Sequence, residues 1–470
     1  MLQCERSLWR SVHAPVQSAD DPARTHIFEV GNVVGRIARV LLGPGVLVDT
    51  SDGLAAAERE TRAMLAKNEP AVYALFEATL SHDGLLVQVD VLRRYIDGWE
   101  IIEVKSSTSV KDEHVTDCAI QCWVLRANGL DVRKVSVAHI DPKWTYREAG
   151  NFEGLIKTAD VSGRVAPRVE EVSQWVQRGQ DLLGRDEPPI TIGGHCRKPY
   201  QCEHLDHCGR NDSRYPVHDL PRANALADKL FNQGVKDIRD VPDERLNARQ
   251  VAYKAAIAEG RAVISETLRD ALDGIRFPTY FLDFETLSLA IPHWLGTKPF
   301  EQVPFQWSCH VMRNARGDLE HFEYLAEGGS NPRHEFLLTM LEVLGDDGPI
   351  IVYSSFEKTI LNQCLDVFPQ HSDQIRGVIA RLVDLLPMVR NGYIHPDLKG
   401  SWSIKSVLPT LTNEVSYKGA DVADGGAAQR TYYETLSEPN AEIKKAKRAN
   451  LLEYCKTDTL AMVCVVNGFK

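Results

Sequence analysis

Twice along the chain, lone carboxylates stand inside apolar runs of strand length. Burying such charges is expensive unless they are paired or bind a cation. The first case begins near residue 72. Residues 72–77 read as a strand, His82-Asp83-Gly84 as a turn and residues 85–92 as a second strand. Asp97-Gly98 gives a tight hairpin turn, and residues 99–105 make a third strand. Side chains alternate along a strand, so Glu103 and Lys105 share a face. Asp90 lies within Val89-Asp90-Val91 on the neighbouring strand. Asp90 and Glu103 could hold one Mg²⁺ or Mn²⁺ through hard oxygen ligands. Lys105 would orient the attacking water or offset developing charge. A helix follows, starting near residues 108–112. His114, Cys118, Gln121 and Leu125 fall on one of its faces, which offers a buried Gln to position water or read a base edge.

The second case follows Pro278. Asp283 and Glu285 share one face of an apolar strand, with Leu282 and Phe284 on the other. Two acids side by side repel, and a divalent metal relieves the repulsion. Strands follow at 305–312 and 321–325, with Gly317 in the turn between them, then a helix over 332–344. Residues 349–353 form a buried strand that leads into a helix near Phe356. Glu357 therefore lies just past a strand end, where sites form in α/β sheets. Asp384 is a further acid in an apolar setting. Near the C-terminus, Tyr454 and Asp458 are four apart on one helix face.

Three of the ten cysteines crowd into one stretch, at Cys196, Cys202 and Cys208. Pro and polar residues make that stretch a loop. Clustered thiols on a loop in a reducing compartment usually bind metal. A fourth ligand is needed, and Cys4 is a distant candidate. His195, His204 and His207 in the same stretch make Zn²⁺ the rival metal.

The first set of acids resembles the PD-(D/E)XK nucleases, and most closely their RecB-like branch. The resemblance is carried by Val89-Asp90-Val91-Leu92, by Ile102-Glu103-Val104-Lys105-Ser106 and by Asp117-Cys-Ala-Ile-Gln121. Glu77 and the Gly31–Gly35 helix match it loosely. The aromatic residue often found four places after the Gln is Leu125 here. One early cysteine with three after the nuclease core resembles the iron–sulfur staple of the AddB and CRISPR-associated types. That resemblance implies that Cys4, Cys196, Cys202 and Cys208 ligate a [4Fe–4S] cluster. The second set is similar to the DnaQ-like exonucleases of the tyrosine-bearing DEDD subtype. It matches at Asp283 and Glu285, at Glu357, and at Tyr454 with Asp458. Glu357 departs from the pattern, which normally has Asp there. In such sites four carboxylates hold two metals and the Tyr orients water. The order of the halves also resembles a bacterial family with a RecB-like nuclease first and this exonuclease-like domain last.

The resemblances imply a restriction-endonuclease-like domain over 1–212, a helical connector over 213–275 and an RNase H-like (DnaQ) domain over 276–470. The connector is expected to hold a long helix over 247–272. Its residues 230–241 look like a helical hairpin that could touch a nucleic-acid backbone. A chain of 470 residues needs more than one core. The net charge of −11 counts only slightly against nucleic acid, because binding needs local cations. The candidates are Arg93, Arg94, Lys105, Lys111, Arg133 and Lys134 near the first site. Lys399, Lys405 and Lys418 lie near the second, Trp402 could stack on a base, and residues 444–448 form a basic run. No apolar run reaches membrane-spanning length, and the N-terminus lacks a signal-peptide core. A cytoplasmic protein with no membrane partner is expected. The implied function is a metal-dependent nuclease that cleaves or resects DNA, as single strands or duplex ends, and trims 3′ ends. The rival readings are a ribonuclease, and a nucleic-acid-binding or assembly protein with a degenerate exonuclease domain.

Overall fold

The acid-bearing strands sit at the centres of two separate mixed sheets. The structure is a computed structural model and describes residues 2–16, 22–67, 73–315, 318–419 and 421–469. Val72 and Gly317 lie outside the described residues. The chain divides into one unit of Met1–Gly209 with Leu289–Phe300 and another of Arg210–Ser288 with Glu301–Lys470. The expected connector therefore belongs to the second unit, and residues 289–300 belong to the first. No helix among the described residues is long and apolar enough to cross a membrane.

The first unit holds Val46–Leu47 (β1), Ala74–His82 (β2), Leu85–Tyr95 (β3), Gly98–Lys105 (β4), Val132–Ile140 (β5) and Ile156–Asp160 (β6) in one sheet, side by side in chain order. The β2–β3 and β3–β4 pairs are antiparallel, as the tight turns require. β5 runs parallel to β4, and a parallel pair needs a crossover. The helices are Glu5–His13 (α1), Pro22–Leu41 (α2), Leu54–Lys67 (α3), Asp112–Ala127 (α4), Ser162–Leu183 (α5) and the short Leu205–Cys208 (α6). The crossover between β4 and β5 is α4. Leu75, Val89, Leu92 and Ile101 pack against Val115, Cys118 and Val172 of α4 and α5. Phe76, Val91, Ile102 and Ala138 form a smaller core with Leu42.

The second unit is built on a five-stranded sheet. Its elements in chain order are Asn224–Asn232 (α7), Ala248–Glu259 (α8), Val263–Ile264 (β7), Glu266–Asp273 (α9), Thr279–Leu287 (β8), Val303–Met312 (β9), Leu319–Leu325 (β10), Arg333–Leu344 (α10), Ile350–Val352 (β11), Phe356–Val367 (α11), Ser372–Arg381 (α12), Leu382–Asp384 (β12), Leu385–Gly392 (α13), Tyr393–Ile394 (β13), Ile404–Val407 (α14), Gly425–Ser437 (α15) and Ala441–Phe469 (α16). The sheet order is β10-β9-β8-β11-β12, which makes β8 the central strand. Tyr280, Leu282 and Phe284 pack with Trp307, Phe336, Leu337 and Ile360 on one face. The other face of β9 bonds to α16. Gln306 Nε2 donates to the Leu451 carbonyl at 2.8 Å, and the Ser308 hydroxyl and His310 Nδ1 each meet the Thr459 hydroxyl, at 2.9 and 2.8 Å.

The single helix expected over 247–272 is two. Gly260 closes α8 in the left-handed conformation, with φ of 65°. Val263–Ile264 then pairs with Tyr393–Ile394, and the Ser265 side chain caps α9 by accepting from the Leu268 amide. In the expected hairpin over 230–241, Leu230, Ile238 and Val241 are buried, so its apolar side faces the core.

Candidate functional site

Alternation along β8 fixes the second acid set. With Leu282 and Phe284 in the core, Asp283 and Glu285 must turn to the opposite face, which α16 covers. Tyr454 and Asp458, one turn apart on α16, meet them there. Carboxylate oxygens of Asp283, Glu285 and Asp458 lie within 4.8 Å of one another, and they are the one such metal-holding group among the described residues. The all-oxygen donor set has the chemistry that a hard divalent cation such as Mg²⁺ prefers. Asp283, Glu285, Glu357, Tyr454 and Asp458 line one cleft of about 390 Å³ with Lys405.

The electrostatics of the cleft are those of crowded acids. Burial, and then Asp458, Glu285 and Glu357, push the Asp283 carboxyl well above its usual range. Burial and Asp458 do the same to Glu285, against the pull of Lys405. Glu357 is pushed up to about 8, chiefly by burial, with Asp384 adding to it and a hydrogen bond with Asp283 opposing. Its Oε2 is buried with no hydrogen-bond partner, a costly state that a bound cation would relieve.

Two side chains hold this arrangement without being legible in the acid motifs. Tyr417 Oη donates to Asp458 Oδ1 at 2.6 Å. Lys405 Nζ donates to Tyr454 Oη at 3.1 Å and to the Ala423 carbonyl at 2.5 Å. Its ammonium also lies 4.9 and 5.1 Å from the ring centres of Tyr454 and Tyr417. Asp384, expected as an accessory acid, instead caps α13 by accepting from the Leu386 amide at 3.0 Å.

A family model described as Domain of unknown function (DUF2779) matches residues 280–403. The match takes in Asp283, Glu285 and Glu357 and stops before Lys405, Tyr454 and Asp458. No curated protein and no solved structure matches the chain.

The first acid set lies across three neighbouring strands. Phe76↔Val91 and Ala78↔Val89 are paired, which leaves Glu77 beside Asp90. Val91↔Ile102 is also paired, and in the antiparallel register Asp90, just before Val91, and Glu103, just after Ile102, occupy the adjacent positions. Glu77 has φ of 58°, a strained value for a side chain other than Gly, and such strain concentrates at functional positions. Burial, then Glu103 and Glu77, push Asp90 well above the carboxylate range, while the Val104 amide donates to its Oδ2 at 2.6 Å. Lys105 Nζ contacts Glu103 Oε1 at 2.7 Å and Asp117 Oδ2 at 3.0 Å. Burial works against the lysine's charge, yet Glu103 and Asp117 prevail and raise its pKa. Gln121 Nε2 donates to Glu103 Oε2 at 2.6 Å and leaves its buried Oε1 without a partner. The four expected residues are thus in one place.

Cys4 comes to the other cysteines because its helix is stitched to residues 183–200. Gln3 donates to the carbonyls of His195 and Tyr200 at 2.7 and 2.6 Å. Arg6 and Arg10 both bind Glu187, and the Trp9 indole donates to the Arg185 carbonyl. Cys196 and Cys208 are raised by burial first, and neighbouring thiols add to the shift, Cys4 and Cys202 at Cys196, and Cys202, Cys196 and Cys4 at Cys208. The loop expected for the cysteines contains two short helical turns, at Gly194–Cys196 and α6. Thiolates on one tetrahedral Zn²⁺ at ~2.3 Å would sit ~3.8 Å apart. No three of these thiols and imidazoles come within 4.8 Å of one another, so the donors are spaced more widely than a single zinc requires. The His204 ring is buried beside them with neither nitrogen hydrogen-bonded.

Most of the expected nucleic-acid contacts are otherwise engaged. Arg93 and Lys134 bind the buried Glu100, Arg133 binds Asp131, and Arg94 lies over Trp99. Lys447 binds Glu434, and Arg448 binds Glu327 and the carbonyls of residues 325 and 326. Trp402 is buried, with its indole N–H donating to the Tyr393 carbonyl at 2.7 Å and Arg249 over its ring. Of Lys399, Lys405 and Lys418, only Lys405 lines the acid cleft.

Proposed function

We propose that this chain is a metal-dependent nuclease with two active centres, a RecB-like PD-(D/E)XK centre in the first unit and a DnaQ-like exonuclease centre in the second. The observation that carries the reading is the convergence of Asp283, Glu285 and Asp458 within 4.8 Å, with Glu357 and Tyr454 in the same cleft. A mixed five-stranded sheet with the acid pair on its central strand supports the RNase H-like assignment. Asp90, Glu103, Lys105 and Gln121 gathered at the β3–β4 hairpin and α4 support the first centre.

In this reading Asp283, Glu285, Glu357 and Asp458 hold Mg²⁺ or Mn²⁺, which supplies an activated water and charge neutralisation at the phosphate. Tyr454 aims its hydroxyl at that water. Lys405 holds the Tyr454 hydroxyl in place, and Tyr417 fixes one oxygen of Asp458. In the first centre Gln121 and Lys105 orient Glu103. Cys4, Cys196, Cys202 and Cys208 hold a [4Fe–4S] cluster that fastens the N-terminal helix to the end of its unit.

Asp90→Ala and Asp283→Ala should each remove a different DNA-cleaving activity, measured on end-labelled single-stranded and duplex DNA with Mn²⁺. If neither loses an activity that the parent has, both site assignments fail. An RNA substrate of the same sequence separates the ribonuclease reading. Tyr417→Phe takes a donor from Asp458 and should weaken Mn²⁺ binding about 10–100-fold, read by calorimetric titration. Unchanged affinity would make that hydroxyl dispensable. Anaerobic purification should give about four iron and four sulfide per chain, as expected for four-cysteine ligation. One zinc and no visible absorption would replace the cluster and take Cys4 off the ligand set.

A further inference from the structure

A second cavity of about 540 Å³ lies beside the acid cleft, and Leu386 and Ser403 line both. Its charged lining is entirely cationic. Arg222, Arg249 and Arg390 reach it from three separate segments, and no carboxylate lines it. Other arginines of the same unit are matched to acids, such as Arg239 to Asp237, Arg313 to Glu320 and Arg333 to Glu301. The three cavity arginines form no ion pair among the described residues. Asp384 offsets the charge of Arg390 from outside the cavity, but gathering three arginines with no ion pair still costs repulsion, in a chain whose net charge of −11 offers acids in excess.

The cavity is also held in shape. Arg249 donates to Asn391 Oδ1 at 2.6 Å, and its guanidinium lies 5.8 Å from the Trp402 ring centre. Gly400 has φ of 71°, and a Cβ there would stand 2.2 Å from the Asp219 carbonyl. The Gly400 amide donates to Tyr253 Oη at 3.1 Å. Only a glycine allows the loop of residues 400–403 to run this close, and that loop is a wall of the cavity. Arg390 sits in the last turn of α13 and Arg249 in the first turn of α8.

We infer that this cleft is a track for the phosphodiester backbone of a single polynucleotide strand, which it feeds toward the neighbouring acid cluster. Guanidinium groups pair with phosphate oxygens in two-pronged, charge-assisted bonds. Three of them spread around one cavity match successive phosphates better than one small anion. The inference rests on the nuclease reading of the acid cleft.

The test uses the full chain carrying Asp283→Asn and a fluorescein-labelled single-stranded DNA 15-mer, followed by anisotropy from low to high KCl. Arg249→Gln/Arg390→Gln should weaken binding at least tenfold. It should also flatten the slope of log Kd against log salt by about 1.4, or about 0.7 for each lost phosphate contact. Arg249→Lys/Arg390→Lys keeps the charges and should restore the slope, which a folding defect would not allow. Arg222 has φ of 52°, which Asn tolerates, so Arg222→Asn should remove about 0.7 more. Unchanged affinity and slope overturn the track, whatever the parent chain hydrolyses. A fall in inorganic phosphate binding without a fall in 15-mer binding also overturns it, because the cleft is then a small-anion site. If the slope flattens while the parent cleaves no substrate, the track stands and the nuclease reading of the acid cleft falls.

Discussion

Asp283→Asn should abolish hydrolysis at the second centre while making the metal-free protein more stable. The carboxylate sits among Glu285, Glu357 and Asp458, and burial and these neighbours all disfavour its charge. Asn keeps the volume and one oxygen but removes the charge. Losing one ligand of a catalytic metal forfeits several kcal/mol of transition-state stabilisation, so the rate should fall about 10³-fold or more. The same change removes repulsion from the apo cleft. Melting in EDTA should therefore shift upward, at about 2–4 °C for each kcal/mol relieved. Opposite signs for activity and stability are the mark of a site held against its own electrostatics. An active variant would mean that the cleft does not do the chemistry. A lowered melting temperature would mean that Asp283 serves as a structural bond.

The largest expected loss of stability lies elsewhere, at Arg93. The Glu100 side chain is completely buried in the sheet of the first unit. Arg93 donates to it from Nε and Nη2 at 2.9 and 2.7 Å, Ser136 donates at 2.7 Å, and Lys134 stands 3.3 Å away. Breaking a buried pair from one side leaves an uncompensated charge and costs about 3–5 kcal/mol. Arg93→Leu should come near the lower figure, since Lys134 and Ser136 remain. Amide exchange in β3, β4 and β5 should then speed up by about two orders of magnitude wherever it proceeds by global opening. A change under about 1 kcal/mol would show that Lys134 and Ser136 suffice.

The strands and their acids were readable because both obey a short period. Alternation places Leu282 and Phe284 in a core and sends Asp283 and Glu285 to the opposite face, and i,i+4 spacing sends Tyr454 and Asp458 to meet them. The same logic locates Glu103, Lys105 and Gln121. Residues on irregular backbone carry no such signal. Tyr417 reaches Asp458 from a loop, and Lys405, read only as a cation near the site, reaches Tyr454 from a helix of four residues, too short to show a period. Trp402 reads as an exposed aromatic among serines, yet the close approach at Gly400 buries it. The arginines of the second cavity stand at 222, 249 and 390, too far apart in sequence to suggest one surface. Gly260 was the legible breaker in the run from 247 to 272, but helix-compatible residues on both sides masked it. The joining of residues 289–300 to the first unit has no sequence sign, because that segment lies between two strands of the second.

The hooking of α1 onto residues 183–200 sets an order of events during synthesis. The Cys4 thiol emerges first, and its partners Cys196, Cys202 and Cys208 lie about two hundred residues behind it. At ~5–20 residues per second, the ribosome needs about 10–40 s to deliver them. For that interval Gln3, Arg6 and Arg10 have none of their partners at residues 187–200 to bind, and the Cys4 thiol is open to any oxidant or stray metal. A ribosome stalled between residues 4 and 196 would hold the protein in this state indefinitely.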